Sequence, residues 1–246
     1  MTSNHFFIQK SLAGRPWLCL EGREHHHLSK VARLRPRDEI WLFDEEGARY
    51  RARIEDIGRE RTRLRLLEKL EPTKRRSKIT LAQALLKAKP MDWVIQKGTE
   101  LGMFSFVPVL SERCVVKVED RSAQKVQRWN QIAREAFKQC RSGLVPAILA
   151  PQPLDNFLRE WEADKKLFFS ERPGLPLKDI VRPARDSETQ PPEVLILVGP
   201  EGGWTQAEED KVLRRGYEAV SLGPNILRAE TAALAAMAII SHFWDS

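Results

Sequence analysis

Two stretches of the chain alternate apolar and charged side chains with a period of two: Tyr50, Ala52 and Ile54 against Arg49, Arg51 and Arg53, then Leu64 and Leu66 against Arg63 and Arg65. Only a pleated strand sends successive side chains to opposite faces, so this rhythm demands antiparallel strands with one wet face. Four such segments, PWLCLEG, DEIWLFDEEG, ARYRARIEDI and RTRLRLLEKL, fall within residues 16–70, with Gly47 and Gly58 in the breaks. They predict a small β-barrel. HHHLSKVARLR, between the first two, reads as a short helix rich in Arg and Lys. The polar, basic stretch EPTKRRSK (71–78) ends the pattern and sets the expected domains at 1–73 and 74–246.

Beyond that stretch strands and helices alternate, so the second domain reads as α/β. Strand-like ITLAQAL (79–85) precedes a helix for which Pro90 is the expected first residue, with Met91, Val94, Ile95 and Leu101 on one face and Gly102 as its stop. FSFVPVL is another strand. Val126, Trp129, Ile132, Ala133, Ala136 and Phe137 recur at helical spacing through 122–139. KLFFS (166–170) and VLILV (194–198) are continuous apolar runs, as in strands buried on both faces of a parallel sheet. Helices follow at about 205–215 and 229–243.

Charge is segregated along the chain. The net charge of +7 over 246 residues resolves into +12 for the first 150 and −5 for the remainder. A basic front favours a polyanionic partner, with nucleic acid the leading candidate, although charge alone does not choose RNA over DNA. The longest apolar run, Ala232 to Ile240, is too short to span a bilayer, and MTSNHFFIQK lacks the layout of a secretory signal. Three widely spaced cysteines, Cys19, Cys114 and Cys140, make neither a disulfide framework nor a zinc knuckle. A cytoplasmic protein with no membrane segment is the expectation. His25-His26-His27 reads as a surface turn and not as a metal site, because adjacent side chains diverge and no carboxylate spacing completes a ligand set; no metal is expected. Cys140, beside Arg141, reads as a buried helix-end thiol.

Two loops carry chemistry. VLILVGPEGGWTQAEED ends a buried strand at Val198, turns through Gly199-Pro200-Glu201-Gly202-Gly203, and enters a helix with the capping-box pattern Thr205-x-x-Glu208. Glycines let a backbone approach a ligand closely, and the crevice beyond strand carboxyl ends is where open α/β sheets bind ligands. VSLGPNILRAETAALAAMAII leaves a strand through Leu222-Gly223-Pro224-Asn225, passes Ile226-Leu227-Arg228, and begins a helix rich in alanine. Taken singly, each loop also reads as a plain strand-to-helix turn; two at the ends of neighbouring strands point to a shared pocket. Neither is G-x-G-x-x-G or a P-loop, and no G-x-S-x-G occurs.

Together, HHLSKVARLRPRD, QALLKAKPMDWVIQKGTELG, VPVLSERCVVK, RWNQIAREAFKQC, LILVGPEGGWTQAEE and SLGPNILRAETAAL resemble, in order and from about residue 25 to 240, the bacterial small-subunit (16S) ribosomal RNA uridine-N3 methyltransferase family (family E), a branch of the SPOUT superfamily. GPEGG followed by LG-x-x-[IL]LR-x-ETA is the most specific pair. The resemblance implies a PUA-like β-barrel that binds RNA (1–73) followed by a SPOUT methyltransferase domain (74–246) with a C-terminal trefoil knot, S-adenosylmethionine bent in the knot, and a homodimer formed through the alanine-rich last helix. It places the cofactor against Phe169-Ser170-Glu171, Val198 to Gly203, Leu222 to Arg228, Thr231 and Ala232. Departures are His5 for an Arg before the aromatic pair Phe6-Phe7, Arg37 for a turn glycine before Asp38, and Asn225 where another polar residue is common.

For a uridine N3 the proton must leave and the resulting anion must be held, which makes Arg228 the expected partner of O2 or O4 and Glu201 the expected proton acceptor or adenosine-orienting group. Capping of local N–H groups is the other role open to Glu201. The Watson–Crick edge must be exposed, so the base is unpaired or flipped. Arg33, Arg35, Lys87, Lys97 and Arg113 are the candidate RNA phosphate grips. A SPOUT enzyme acting on another RNA or base atom, or a non-catalytic ribosome-assembly factor of the same fold, are the rival readings.

Overall fold

The computed structural model describes residues 5–9, 15–44, 48–70, 77–114, 122–140, 145–181 and 193–244. Gly47 and most of the EPTKRRSK stretch lie outside the described residues. The chain divides into two compact units, one taking in residues up to Lys74 together with Phe137–Val145, the other Arg75–Ala136 and Pro146–Ser246.

The first unit is a five-stranded sheet of β1 (His5–Phe7), β2 (Trp17–Glu21), β3 (Glu39–Phe43), β4 (Arg49–Ile57) and β5 (Arg61–Leu70), in the order β1-β3-β4-β5-β2. All ladders are antiparallel except β1 on β3. Period-two alternation sends Leu18, Ile40, Leu42, Ala52, Ile54 and Leu64 into one core and the arginines outward. The expected helix is present as α1 (Gly22–His26), which continues as a π-helical turn over His27–Val31. The three histidines are therefore helical, not a surface turn. His25 is buried, its Nδ1 2.8 Å from Thr62 Oγ1 and its Nε2 3.2 Å from the Arg59 carbonyl, so its neighbours across the sheet decide its place. Phe137 belongs to this unit because its ring meets Phe7 and Phe43 at 5.3 and 5.0 Å, while Lys138 is buried on Glu24 at 2.7 Å. Arg37, in place of a turn glycine, stands at φ 78°.

The second unit alternates strands and helices: β6 (Lys78–Ala84), α2 (Ala88–Glu100), β7 (Ser105–Leu110), α3 (Ser122–Cys140), β8 (Ala147–Ile148), β9 (Gln152–Pro153), α4 (Leu154–Glu160), β10 (Lys165–Phe169), β11 (Leu175–Pro176), α5 (Leu177–Val181), β12 (Glu193–Val198), α6 (Gln206–Arg214), β13 (Glu218–Ser221) and α7 (Ala229–Trp244). The strands run β11-β13-β10-β12-β6-β7-β8, with β9 further along β7, and every ladder is parallel. Alternate residues of the central strands feed two cores. Ile79, Leu81, Leu167 and Ile196 meet α2, α3, α5 and α7 on one face; Ala82, Phe168, Leu195 and Leu197 meet α4 and α6 on the other. Helix α2 starts two residues before Pro90, which is its third residue and not its first. The first N–H groups of a helix have no acceptor inside it, so a proline there costs no hydrogen bond. Gly102, just beyond the end of α2, takes φ 91°, as a helix-stopping residue does.

Candidate active site

Three adjacent parallel strands, β13, β10 and β12, end on the same edge of the second unit's sheet, and the loops leaving them wall one cavity of about 690 Å³. The strands that end at Val198 and Ser221 are not direct neighbours, as the sequence reading had them; β10 lies between, contributing Phe169, Ser170 and Glu171 to the wall. Apolar runs reveal which strands are buried but not their lateral order. Of the expected cofactor residues, Val198, Gly199, Pro200, Glu201, Gly203, all of Leu222 to Arg228, and Ala232 also line the cavity. Gly202 and Thr231 are not among the lining residues.

The loop after β12 is held from three directions. Gln83, fully buried in β6, donates through Nε2 to the carbonyls of Gly199 (2.9 Å) and Ala84 (3.1 Å). Trp204 donates its indole N–H to the Phe169 carbonyl at 3.2 Å, tying this loop to the one after β10. Arg113 Nη1 donates to the carbonyls of Gly202 (3.3 Å) and Trp204 (3.2 Å). Gly202 thus faces Arg113, which is why it is absent from the cavity wall. The capping box forms as the motif requires: Thr205 Oγ1 accepts from Glu208 N at 3.3 Å, and Glu208 Oε2 accepts from Thr205 N at 2.9 Å. The other Glu208 oxygen accepts from Glu112 N at 2.8 Å, anchoring the segment that carries Arg113.

Charged groups ring the opening. Glu201 Oε1 accepts from the backbone N–H of Lys87, the residue preceding α2, at 3.0 Å, so one oxygen of this carboxylate caps a local N–H group. Arg172 is ion-paired with Glu209 and, at 3.6 Å, with Asp210. Arg228 is exposed at the mouth, and its carbonyl accepts from Ala232 N at 2.8 Å to start α7. Among the candidate RNA grips, Lys87 joins the cavity wall, Lys97 pairs with Glu100 on α2 at 2.9 Å, and Arg113 serves the loop. Arg33 and Arg35 are exposed in the first unit. The sequence reading missed Gln83, Trp204, Pro90, Arg172 and Glu230 as site residues. A glutamine inside the apolar strand ITLAQAL was the available signal, since a buried amide must find partners.

The β-sheet unit and the parallel α/β unit that holds this pocket each match a family model of one class of RNA-modifying enzymes. A family model for the RNA methyltransferase domain matches residues 73–241, and one for the RNA methyltransferase PUA domain matches residues 20–67. The chain is 30% identical over 244 residues, 96% of its length and 95% of the relative's, to ribosomal RNA small subunit methyltransferase E of Bacillus subtilis. The crystal structure of ribosomal RNA small subunit methyltransferase E from Neisseria gonorrhoeae, bound to S-adenosylmethionine, superposes with a TM-score of 0.85 at 32% identity, covering 98% of this chain and 97% of that one. A Legionella pneumophila methyltransferase in complex with the same cofactor gives 0.88 at 30% identity, with 98% and 97% covered. The chain belongs to this family of small-subunit ribosomal RNA methyltransferases.

Proposed function

We propose that the chain transfers the methyl group of S-adenosylmethionine to N3 of a specific uridine in 16S ribosomal RNA. The observation that carries this reading is the cavity walled by the loops at the carboxyl ends of β13, β10 and β12, with the exposed Arg228 among its lining residues. The residues present suit the cofactor. The volume lies in the range of small-molecule sites, Phe169, Val198, Leu222 and Leu227 offer apolar wall, and the carboxylates of Glu171, Glu201 and Glu230 complement a cation. When bound, the cofactor supplies an electrophilic methyl group on a sulfonium.

The chain's own residues prepare the acceptor. Arg228 holds the uracil oxygen on which negative charge grows as the N3 proton leaves, the interaction a transition state rewards most. Glu201, its Oε1 engaged by Lys87 N, offers Oε2 to that proton. The base enters unpaired. Segment 170–176 runs alongside β13, with which β11 pairs in parallel, and a Cβ on Gly174 would lie 2.6 Å from the Ala219 carbonyl oxygen; a trefoil knot in this unit is part of the proposed reading. The active form is a homodimer through α7. No helix among the described residues is long and apolar enough to cross a membrane, and the substrate RNA assigns the work to the cytoplasm.

Mass spectrometry of ribosomal RNA from cells with and without the protein tests the assignment: one uridine in 16S RNA should lose a methyl group at N3. Arg228→Ala should keep cofactor affinity within about threefold by calorimetry while turnover falls at least about 100-fold, roughly 2.7 kcal/mol. Turnover within about tenfold of wild type would remove Arg228 from the transition state.

A further inference from the structure

The cations lining the cavity are Lys87, Arg172 and Arg228. Arg172 is already engaged by Glu209 and Asp210. Lys87 and Arg228 are exposed, and neither side chain has a hydrogen-bond or ion-pair partner among the described residues. Lys87 is nevertheless fixed in place, because its backbone N–H donates to Glu201 Oε1 at 3.0 Å at the entry to α2. The other oxygen, Glu201 Oε2, has no partner among the described residues. The residue carrying the ammonium and the residue carrying the proton acceptor are thus tied to each other, and both belong to the same wall as Arg228.

We propose that Lys87 selects uracil: its ammonium holds one of the two carbonyl oxygens that flank N3 while Arg228 holds the other. The inference rests on the reading of the chain as a uridine-N3 methyltransferase and deepens it. The Watson–Crick edge of uracil presents an acceptor, the N3–H donor and a second acceptor. Lys87, Glu201 and Arg228 supply the complement, two donors and one acceptor. Cytosine carries an amine in place of O4 and a bare lone pair at N3, so its amine would meet a cation and its lone pair a carboxylate. A site built from polar groups rejects that mismatch far more strongly than an apolar pocket rejects a change of shape. When the N3–H bond breaks and the proton passes to Glu201 Oε2, the electron pair left on N3 spreads onto both oxygens, and a cation at each stabilises it where it grows. That pair forms the bond to the methyl carbon, and the electrons of the broken C–S bond stay on sulfur. A place in the cavity wall suits this contact with the base better than a grip on an outer phosphate.

The test uses the full chain with small ribosomal subunits from cells lacking the protein, and with the same subunits carrying cytidine at the target position. Lys87→Met keeps the length of the side chain and removes its charge. At pH 7 its kcat should fall at least about 30-fold, with KM for the subunit and the calorimetric affinity for S-adenosylmethionine held within about threefold. The deficit should narrow as the pH rises, because easier loss of the N3 proton replaces what the cation supplies. Lys87→Arg should restore most of the rate. Lys87→Gln, whose amide oxygen accepts from the cytosine amine, should narrow the preference for uridine over cytidine at least about tenfold. The control Lys89→Met, exposed on α2 and outside the cavity wall, should stay within about twofold of wild type on each measure. Binding of Lys87→Met to the subunit, followed over a salt series, should keep the wild-type log–log slope; a slope lower by about 0.7, with KM raised and kcat kept, would make Lys87 a phosphate grip and overturn the assignment. A Lys87→Met rate no lower than that of the control overturns it as well. Mass spectrometry of the wild-type product separates this failure from the larger one: methylation at any atom other than a uridine N3 sinks the underlying reading and the proposal with it.

Discussion

Tyr217 is buried with its hydroxyl unpartnered among the described residues, whereas the chain's other phenol, Tyr50, donates to Asp44 at 2.8 Å. Burial first, and then the negative charge of Glu162, push the Tyr217 pKa well above the ordinary phenol value. The folded protein therefore keeps a proton that the unfolded chain releases above about pH 10. Below that pH both states are protonated and the group contributes no slope; above it, stability falls by up to about 1.4 kcal/mol per pH unit. Tyr217→Phe should remove that share of the alkaline slope and, by deleting an orphan hydroxyl, raise stability at pH 7 by about 1 kcal/mol in urea unfolding. A loss of stability at pH 7 would mean that the hydroxyl has a partner after all. Some residue-scale features were legible in the sequence. Arg37 departs from a glycine pattern and does occupy a left-handed φ, at a cost of about 1 kcal/mol that the rest of the turn must carry. The role of His25 was not legible, because its partners Thr62 and Arg59 lie more than thirty residues away.

At the scale of elements, one of the contacts that hold the loop after β12 leaves no slack. A Cβ added to Gly199 would lie 2.7 Å from Trp204 Nε1 and 3.1 Å from two further ring atoms, and Trp204 is only 6% exposed, with that N–H committed to Phe169. A rigid buried ring has no room to retreat. Gly199→Ala should therefore cost about 1–3 kcal/mol of stability and weaken S-adenosylmethionine binding at least about tenfold by calorimetry. Binding within twofold of wild type would show that the loop tolerates the shift. The motif GPEGG announced this turn, and the capping box Thr205–Glu208 formed as its spacing required. Long periodic segments such as α3 and the apolar strands β10 and β12 were legible because burial writes itself into their pattern. β8, β9 and β11, at two residues each, leave no period to read. Nor does any local pattern announce that Phe137, at the end of a helix begun in the second unit, packs with Phe7 and Phe43 in the first.

For the whole molecule, the last helix sets the remaining expectation. One side of α7 is fully buried through Ala233, Ala236, Met237 and Ile240, at the spacing of a single helical face. Its opposite side mixes half-buried Ala235 and Ala238 with exposed Thr231 and His242, and on its flanks Leu234 is half-buried and Phe243 is 43% exposed. Trp93 on α2, whose Val94 shares a core with α7, is 57% exposed. Ala235 and Ala238 are small side chains that let a second backbone come close, so the proposed homodimer places a second copy of the chain against this side of α7. Sedimentation should find wild-type protein dimeric at micromolar concentration and Ala235→Arg/Ala238→Arg, on one side of the helix, monomeric, since each variant chain carries two charged groups into a two-fold contact that repeats them. Cofactor binding by the monomeric variant then separates two roles of the interface: affinity held within about threefold makes the pocket complete in one chain, and a loss beyond about tenfold makes the partner part of it. A wild-type protein that sediments as a monomer would leave that side of α7 without a cover and end the dimer assignment.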